Sequence, residues 1–225
     1  MYWKITKAQD YVALSKWWND QAKLYGKQLY VSQGYYRIDY TNPWETTEIQ
    51  NQINQNRQAH MDATFGQIAY SYTTIKNNSK GLNQALNTTQ HKYKSFAPPI
   101  LGTGKDSISP IKPANIRLEP LKILWDTPEV ASDGDLPVKY VVYAFENAAE
   151  AITNSNDGSK ILDIVVGNEF VLTKTQMATK VFVVTSLDKN NNEAGDFTKP
   201  NALKTIKNKN SELAINPTPE VDTVN

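Results

Sequence analysis

Apolar positions in the first part of the chain alternate between two spacings. Tyr11, Leu14, Trp18, Ala22 and Tyr25 recur at three- and four-residue steps, which predicts one apolar stripe of a helix closed by Gly26. Residues 28–32 then read as a short buried strand. After a loop, a helix is expected from about Thr46, with Glu48 in its first turn and Ile49 and Ile53 facing inward. FGQIAYSY (65–72) is a second short strand. Beyond the breaker NNSKG a further helix is expected to carry Leu82, Ala85, Leu86 and Tyr93. Strands and helices joined by brief connections are the pattern of βαβ units and a parallel sheet.

Between residues 95 and 115 the pattern breaks. Four prolines and two glycines in SFAPPILGTGKDSISPIKPAN make this a linker or an extended connection. Beyond it the period falls to two. ANIRLEP, LKILWDT, VKYVVYAFE, KILDIVV, EFVLT and KVFVVTSLD are strand candidates, separated by turns such as SDGD and NDGS. Short strands of this kind predict a small antiparallel sandwich. The polar ending KNKNSELAINPTPEVDTVN is expected to fray.

Composition narrows the chemistry. In 225 residues, 24 Lys and Arg balance 23 Asp and Glu, so no global charge draws the chain to nucleic acid or anionic lipid. No apolar run is long enough to span a membrane. MYWKITKAQDYVALSKWW lacks the apolar centre and small-residue cleavage site of a signal peptide. Without Cys there is neither disulfide nor thiolate chemistry, and His60 and His91 match no metal-ligand spacing. NDGSK and DKNNNEAG are rich in turn residues but lack an EF-hand spacing, and hairpin chemistry accounts for them. No cofactor and no metal is expected.

The ordered pieces MYW, DYVALSKWWND, KQLYVSQGYYRI, EIQNQINQNR, FGQIAYS, GLNQAL and KYKSFAPPI span nearly the whole first half. In that order they resemble the end of the barrel in the glycosyl-hydrolase-like 10 family. These are bacterial (β/α)8 proteins with a fibronectin-III-like domain behind the barrel. The second half resembles that domain: Trp125 stands at the core Trp of the second strand, and Tyr140 and Tyr143 lie on the third. VVTSLDKNNNEAG looks like the sixth strand and its hairpin, with Lys180 where that strand often has a tyrosine.

The resemblance implies an α/β plus all-β fold: the last three βα units of a (β/α)8 barrel, followed by a fibronectin type III-like sandwich. The expected divisions are 1–97 for the partial barrel, 98–112 for a linker, 113–208 for the sandwich and 209–225 for a tail. Met1 would then fall inside a strand, and the chain is expected to be a piece of a longer protein. Three staves cannot close a barrel. At about 25 cal/mol per Å², a few hundred Å² of wet apolar flank costs on the order of ten kcal/mol. The open edge is therefore an expected surface for self-association.

In such barrels the site lies at the carboxyl ends of the strands. Tyr2, Trp3, Tyr35, Tyr36, Arg37, Tyr70 and Ser71 would fall on that rim, with Trp44 in the loop beside it. Aromatic faces stack on sugar rings, and an arginine fork binds hydroxyls or a carboxylate. Half of these rings could equally point into the core. Trp3, Tyr36, Arg37 and Trp44 are the candidate cleft residues, whereas Trp17 and Trp18 are expected to pack.

Glycoside hydrolysis needs two facing carboxyl groups. Asp39 and Glu45, out in the loop, are the nearest acids. Asp62 precedes the last strand and is expected at the opposite end of the barrel, and each of the three reads as a solvated surface charge. No catalytic residue is therefore assigned. The family implies a polysaccharide substrate of the bacterial cell wall, particularly peptide-free peptidoglycan strands, and a periplasmic or cell-surface location. The alternative is a non-catalytic carbohydrate-binding or structural module.

Overall fold

The computed structural model describes residues 3–5, 9–99 and 106–201. Most of the expected opening strand MYW, part of the linker, residues 202–208 of the expected sandwich, and the tail lie outside these. Among the described residues, helices are mixed with three sheets, none closed into a barrel. No helix among them is long and apolar enough to cross a membrane.

Helix α1 (Tyr11–Leu24) starts where the Asp10 carboxylate accepts the Val12 N–H at 2.7 Å. It ends at Gly26, whose φ of 60° lets Lys27 N–H donate to the Ala22 carbonyl at 2.8 Å. The buried row is Tyr11, Ser15 and Asn19; of the predicted apolar stripe Tyr11 is buried, Leu14 and Ala22 are half-buried, and Trp18 and Tyr25 are exposed. Asn19 Oδ1 accepts from Ala63 N–H and the Thr64 hydroxyl, both at 3.0 Å, while its amide donates to the His60 carbonyl at 3.2 Å. Tyr11 donates its hydroxyl to Asn56 Oδ1 at 3.0 Å. Directional bonds from polar side chains thus choose the docking face. Trp17 and Trp18, expected to pack, remain 53% and 51% exposed and meet each other edge to face at 4.8 Å.

Strand β1 (Leu29–Gly34) pairs in parallel with β2 (Thr64–Tyr70), in a register that places Gly34 opposite Tyr70. The carboxyl ends of the two strands therefore lie side by side. Val31 and Gln33 are buried on one face, whereas Tyr30, Ser32, Ile68 and Tyr70 are exposed on the other. Helix α2 (Thr46–Asn56) buries Ile49 and Ile53, one turn apart as expected. Two short helices follow, α3 (Tyr72–Lys76) and α4 (Leu82–Thr88). Leu82 and Leu86 of α4 join Ile49, Ile53, Tyr35, Ile38 and Trp44 in one cluster. Tyr93, predicted on the last helix, lies beyond its end and is exposed.

All six strands expected in the second half form. β3 (Ala114–Glu119), β4 (Lys122–Asp126) and β7 (Glu169–Val171) make a three-stranded antiparallel sheet. β5 (Lys139–Phe145), β6 (Ile161–Val165), β8 (Val181–Leu187) and β9 (Glu193–Ala194) make a four-stranded one, in the order β6-β5-β8-β9. Helix α5 (Ala148–Thr153) follows β5, and α6 (Lys174–Thr179) precedes β8. One apolar cluster draws Ile123 and Trp125 from the first sheet and Tyr140, Val142, Phe182 and Val184 from the second.

The period of two fails in β5 and β8, which are buried on both faces. Their outer face is covered by Ala151 and by Phe96 and Phe197. Phe96 arrives from the first half, which is further tied on by Lys94 and Asp163 at 2.5 Å.

The connection before β3 is held to the β9 end by Asp196. Its carboxylate accepts from the Thr198 hydroxyl at 2.5 Å and from Lys112 Nζ at 3.1 Å, which together pull its pKa from near 3.8 down to about 2. A depressed folded pKa contributes stability that is present above the unfolded value and lost as pH falls through the folded one. The urea midpoint should therefore drop between pH 5 and pH 2, and drop less in Asp196→Asn. Equal slopes in the two proteins would remove Asp196 from the acid response.

Candidate functional site

β1 is followed by a 3-10 turn, Tyr35–Asp39, rather than by an extended rim. In a 3-10 turn residues three apart eclipse. Tyr35 and Ile38 accordingly fall together into the core, and burial pushes the Tyr35 hydroxyl up to about 12. Arg37 and Tyr40 fall together on another edge, with the guanidinium carbon 5.1 Å from the Tyr40 ring centre. The loop then folds back: Trp44 N–H donates to the Arg37 carbonyl at 2.9 Å. Lys80 pins the loop from α4's side, reaching the Trp44 carbonyl at 3.2 Å and Glu45 at 2.8 Å.

Arg37 is thereby held by rings. Its guanidinium also lies 5.7 Å from the Trp44 ring centre. Its Nε is buried without a hydrogen-bond partner, and among the described residues no carboxylate pairs with it.

The chain before α1 completes a cleft. Gln52 donates to the Trp3 carbonyl at 3.2 Å, and Ile5 N–H donates to the Glu48 carboxylate at 2.8 Å. The result is an open cavity of about 630 Å³, lined by Trp3, Lys4, Arg37, Tyr40, Thr41, Asn42 and Trp44.

Three of the four candidate residues, Trp3, Arg37 and Trp44, thus border one space. Trp3 is 39% exposed and presents ring surface, whereas Trp44 is 3% exposed and mostly core. Tyr36 does not line the cavity. It sits beside it, edge to face with Tyr40 and with Tyr70 at the end of β2, both at 5.8 Å. Lys4, Thr41 and Asn42 were not singled out from the sequence, because only the folded-back loop and the docked start of the chain bring them together.

The three acids weighed from the sequence are all engaged, Asp62 at the amino end of β2 and away from the cleft. Asp39 accepts the Thr74 hydroxyl at 3.0 Å, and Glu45 pairs with Lys80. Asp62 pairs with Lys23 at 2.5 Å, which holds its carboxyl below the usual range. None of the described cavity-lining residues is an acid. Among its described lining residues the cleft thus combines ring faces with two cationic side chains and presents no pair of carboxyl groups.

A separate cluster gathers Asp106, Asp133 and Asp135, whose carboxylate oxygens lie within 4.8 Å of one another. It joins the SDGD turn to a residue far away in sequence, so no local spacing announces it. Lys189 already supplies a cation, at 2.7 Å from Asp135.

Comparison with protein-family models, with curated proteins and with solved structures finds no match for this chain.

Proposed function

We propose that this chain binds polysaccharide through the Trp3–Arg37–Trp44 cleft without hydrolysing it, as the C-terminal part of a bacterial glycosidase-like protein. The carrying observation is a cleft walled by aromatic rings and an arginine, with no carboxylate among its described lining residues. The parallel pairing of β1 with β2 and their aligned carboxyl ends support a barrel-end origin. The three- and four-stranded sheets sharing a core around Trp125 support a fibronectin-III-like sandwich that braces it. In this reading the catalytic carboxyl groups belong to barrel units outside this chain, and the substrate class is cell-wall glycan.

Peptide-free peptidoglycan strands test the reading. Titration calorimetry should detect binding, while a reducing-end assay should stay flat over hours. Trp3→Ala should weaken binding by about 1 kcal/mol, roughly fivefold, through the lost stacking face. Release of reducing ends would mean that the chain carries its own acid and base. Undiminished binding by Trp3→Ala would move the site to the sheets of the second half and favour a binding module there.

A further inference from the structure

Resting on the glycan reading above, we infer that the cleft selects sugars that carry a carboxylate, and that Arg37 is the residue that reads it. Charge on the lining is one-sided: Lys4 and Arg37 are cationic, and no described lining residue is acidic. Several other described cations reach a carboxylate, such as Lys80 on Glu45, Arg117 on Asp126 and Lys122 on Glu169. Arg57 donates to the Gln90 carbonyl at 2.7 Å. Among the described residues Arg37 meets the Tyr40 and Trp44 rings, and its buried Nε has no hydrogen-bond partner.

A half-buried charge left without a counter-ion is costly, and a ligand that supplies one recovers that cost. The ring contacts matter for a second reason. They fix the plane of the guanidinium before a ligand arrives, so little side-chain freedom is lost on binding. A planar fork fixed in this way matches the two oxygens of a carboxylate, which a single sugar hydroxyl cannot do. Trp3 then offers a ring face to the sugar that bears the acid group. Lys4 adds attraction without geometry.

The chemistry fits a lactyl ether on an amino sugar or a uronic acid equally, and the probes separate them. Calorimetry on the full chain would compare peptide-free peptidoglycan strands, the same strands with their carboxyl groups amidated, neutral chitin oligomers and oligogalacturonate. Carboxylated strands should bind about tenfold or more tighter than their amidated form, and the difference should shrink as salt rises. Arg37→Gln should abolish that difference, weakening the carboxylated strands far more than the amidated strands or chitin. Arg37→Lys should restore only part of it, because an ammonium is not a fork. Oligogalacturonate binding that depends on Arg37 would extend the ligand to uronic acids; its absence would restrict it to the lactyl ether. If amidated and native strands bind equally, selection of a carboxylate is wrong while glycan binding stands. If none of the four probes binds, the glycan reading falls and this inference with it. The amidation comparison uses the unaltered protein, so it holds whatever the variants do to the fold.

Discussion

Trp44→Ala is expected to cost about 3–5 kcal/mol of folding free energy, measured by urea denaturation. Trp44 is 3% exposed, and its ring fills the centre of a cluster made by Tyr35, Ile38, Ile49, Ile53, Leu82 and Leu86. Those residues come from the 3-10 turn, α2 and α4, so the cavity would open where three elements meet. Backbone bonds limit how far the site can collapse, because Trp44 N–H closes onto Arg37 and Lys80 holds the Trp44 carbonyl. A total stability of about 5–15 kcal/mol leaves little margin for such a loss. Trp44→Phe, which keeps a ring in place, should lose clearly less. Trp3→Ala, at a surface position, should stay within about 0.5 kcal/mol. A Trp44→Ala protein as stable as Trp3→Ala would show that the ring is not part of the core. The prediction also governs how binding data are read: lost glycan affinity in Trp44→Ala reports unfolding before it reports a lost contact.

How far the fold could be read depended on whether the deciding interactions were local. Ile49 and Ile53 identify α2 because one turn of helix separates them, and both are fully buried. The six strands of the second half are legible from their own composition, since β-branched and aromatic residues between turn residues leave few alternatives. Helix α1 shows the limit. The spacing of Tyr11, Leu14, Trp18, Ala22 and Tyr25 is truly helical, but periodicity identifies a face and not what it docks on. Asn19 makes three hydrogen bonds to residues 60–64, and that non-local pattern turns Trp18 outward. The same holds for β5 and β8, whose outer faces are hidden by residues as distant as Phe96 and Phe197.

The cleft was half legible for a similar reason. Arg37 and the rings near it stand out in the sequence, but their roles depend on the 3-10 turn, whose period lies too close to that of a helix to be read in so short a run. Once the turn is known, the sorting follows. Positions 35 and 38 go inward, 37 and 40 go to the cleft, and Tyr36 is left to bridge toward Tyr70.

Trp125→Ala is expected to be comparably damaging, at about 3–5 kcal/mol, and its contrast with Trp125→Phe is more informative than its size. Trp125 is 1% exposed and lies 5.2 Å from the Tyr140 ring, at the centre of a cluster fed by both antiparallel sheets. Its indole N–H is buried without an acceptor. Burying an unpaired donor carries a penalty of about 1–3 kcal/mol, so phenylalanine removes a cost along with the volume it gives up. The two effects oppose each other, and Trp125→Phe should fall within about 1.5 kcal/mol of the parent. Trp125→Ala forfeits the volume, with only the same relief to set against it. Urea titrations followed by far-ultraviolet circular dichroism would measure both. A Phe variant as weak as the Ala variant would mean that the indole N–H is satisfied, by a water or by a rearranged neighbour, and that the ring is held by that bond as well as by packing. Because the lost contacts link β4 to β5 and β8, the two sheets should unfold in one step rather than in sequence.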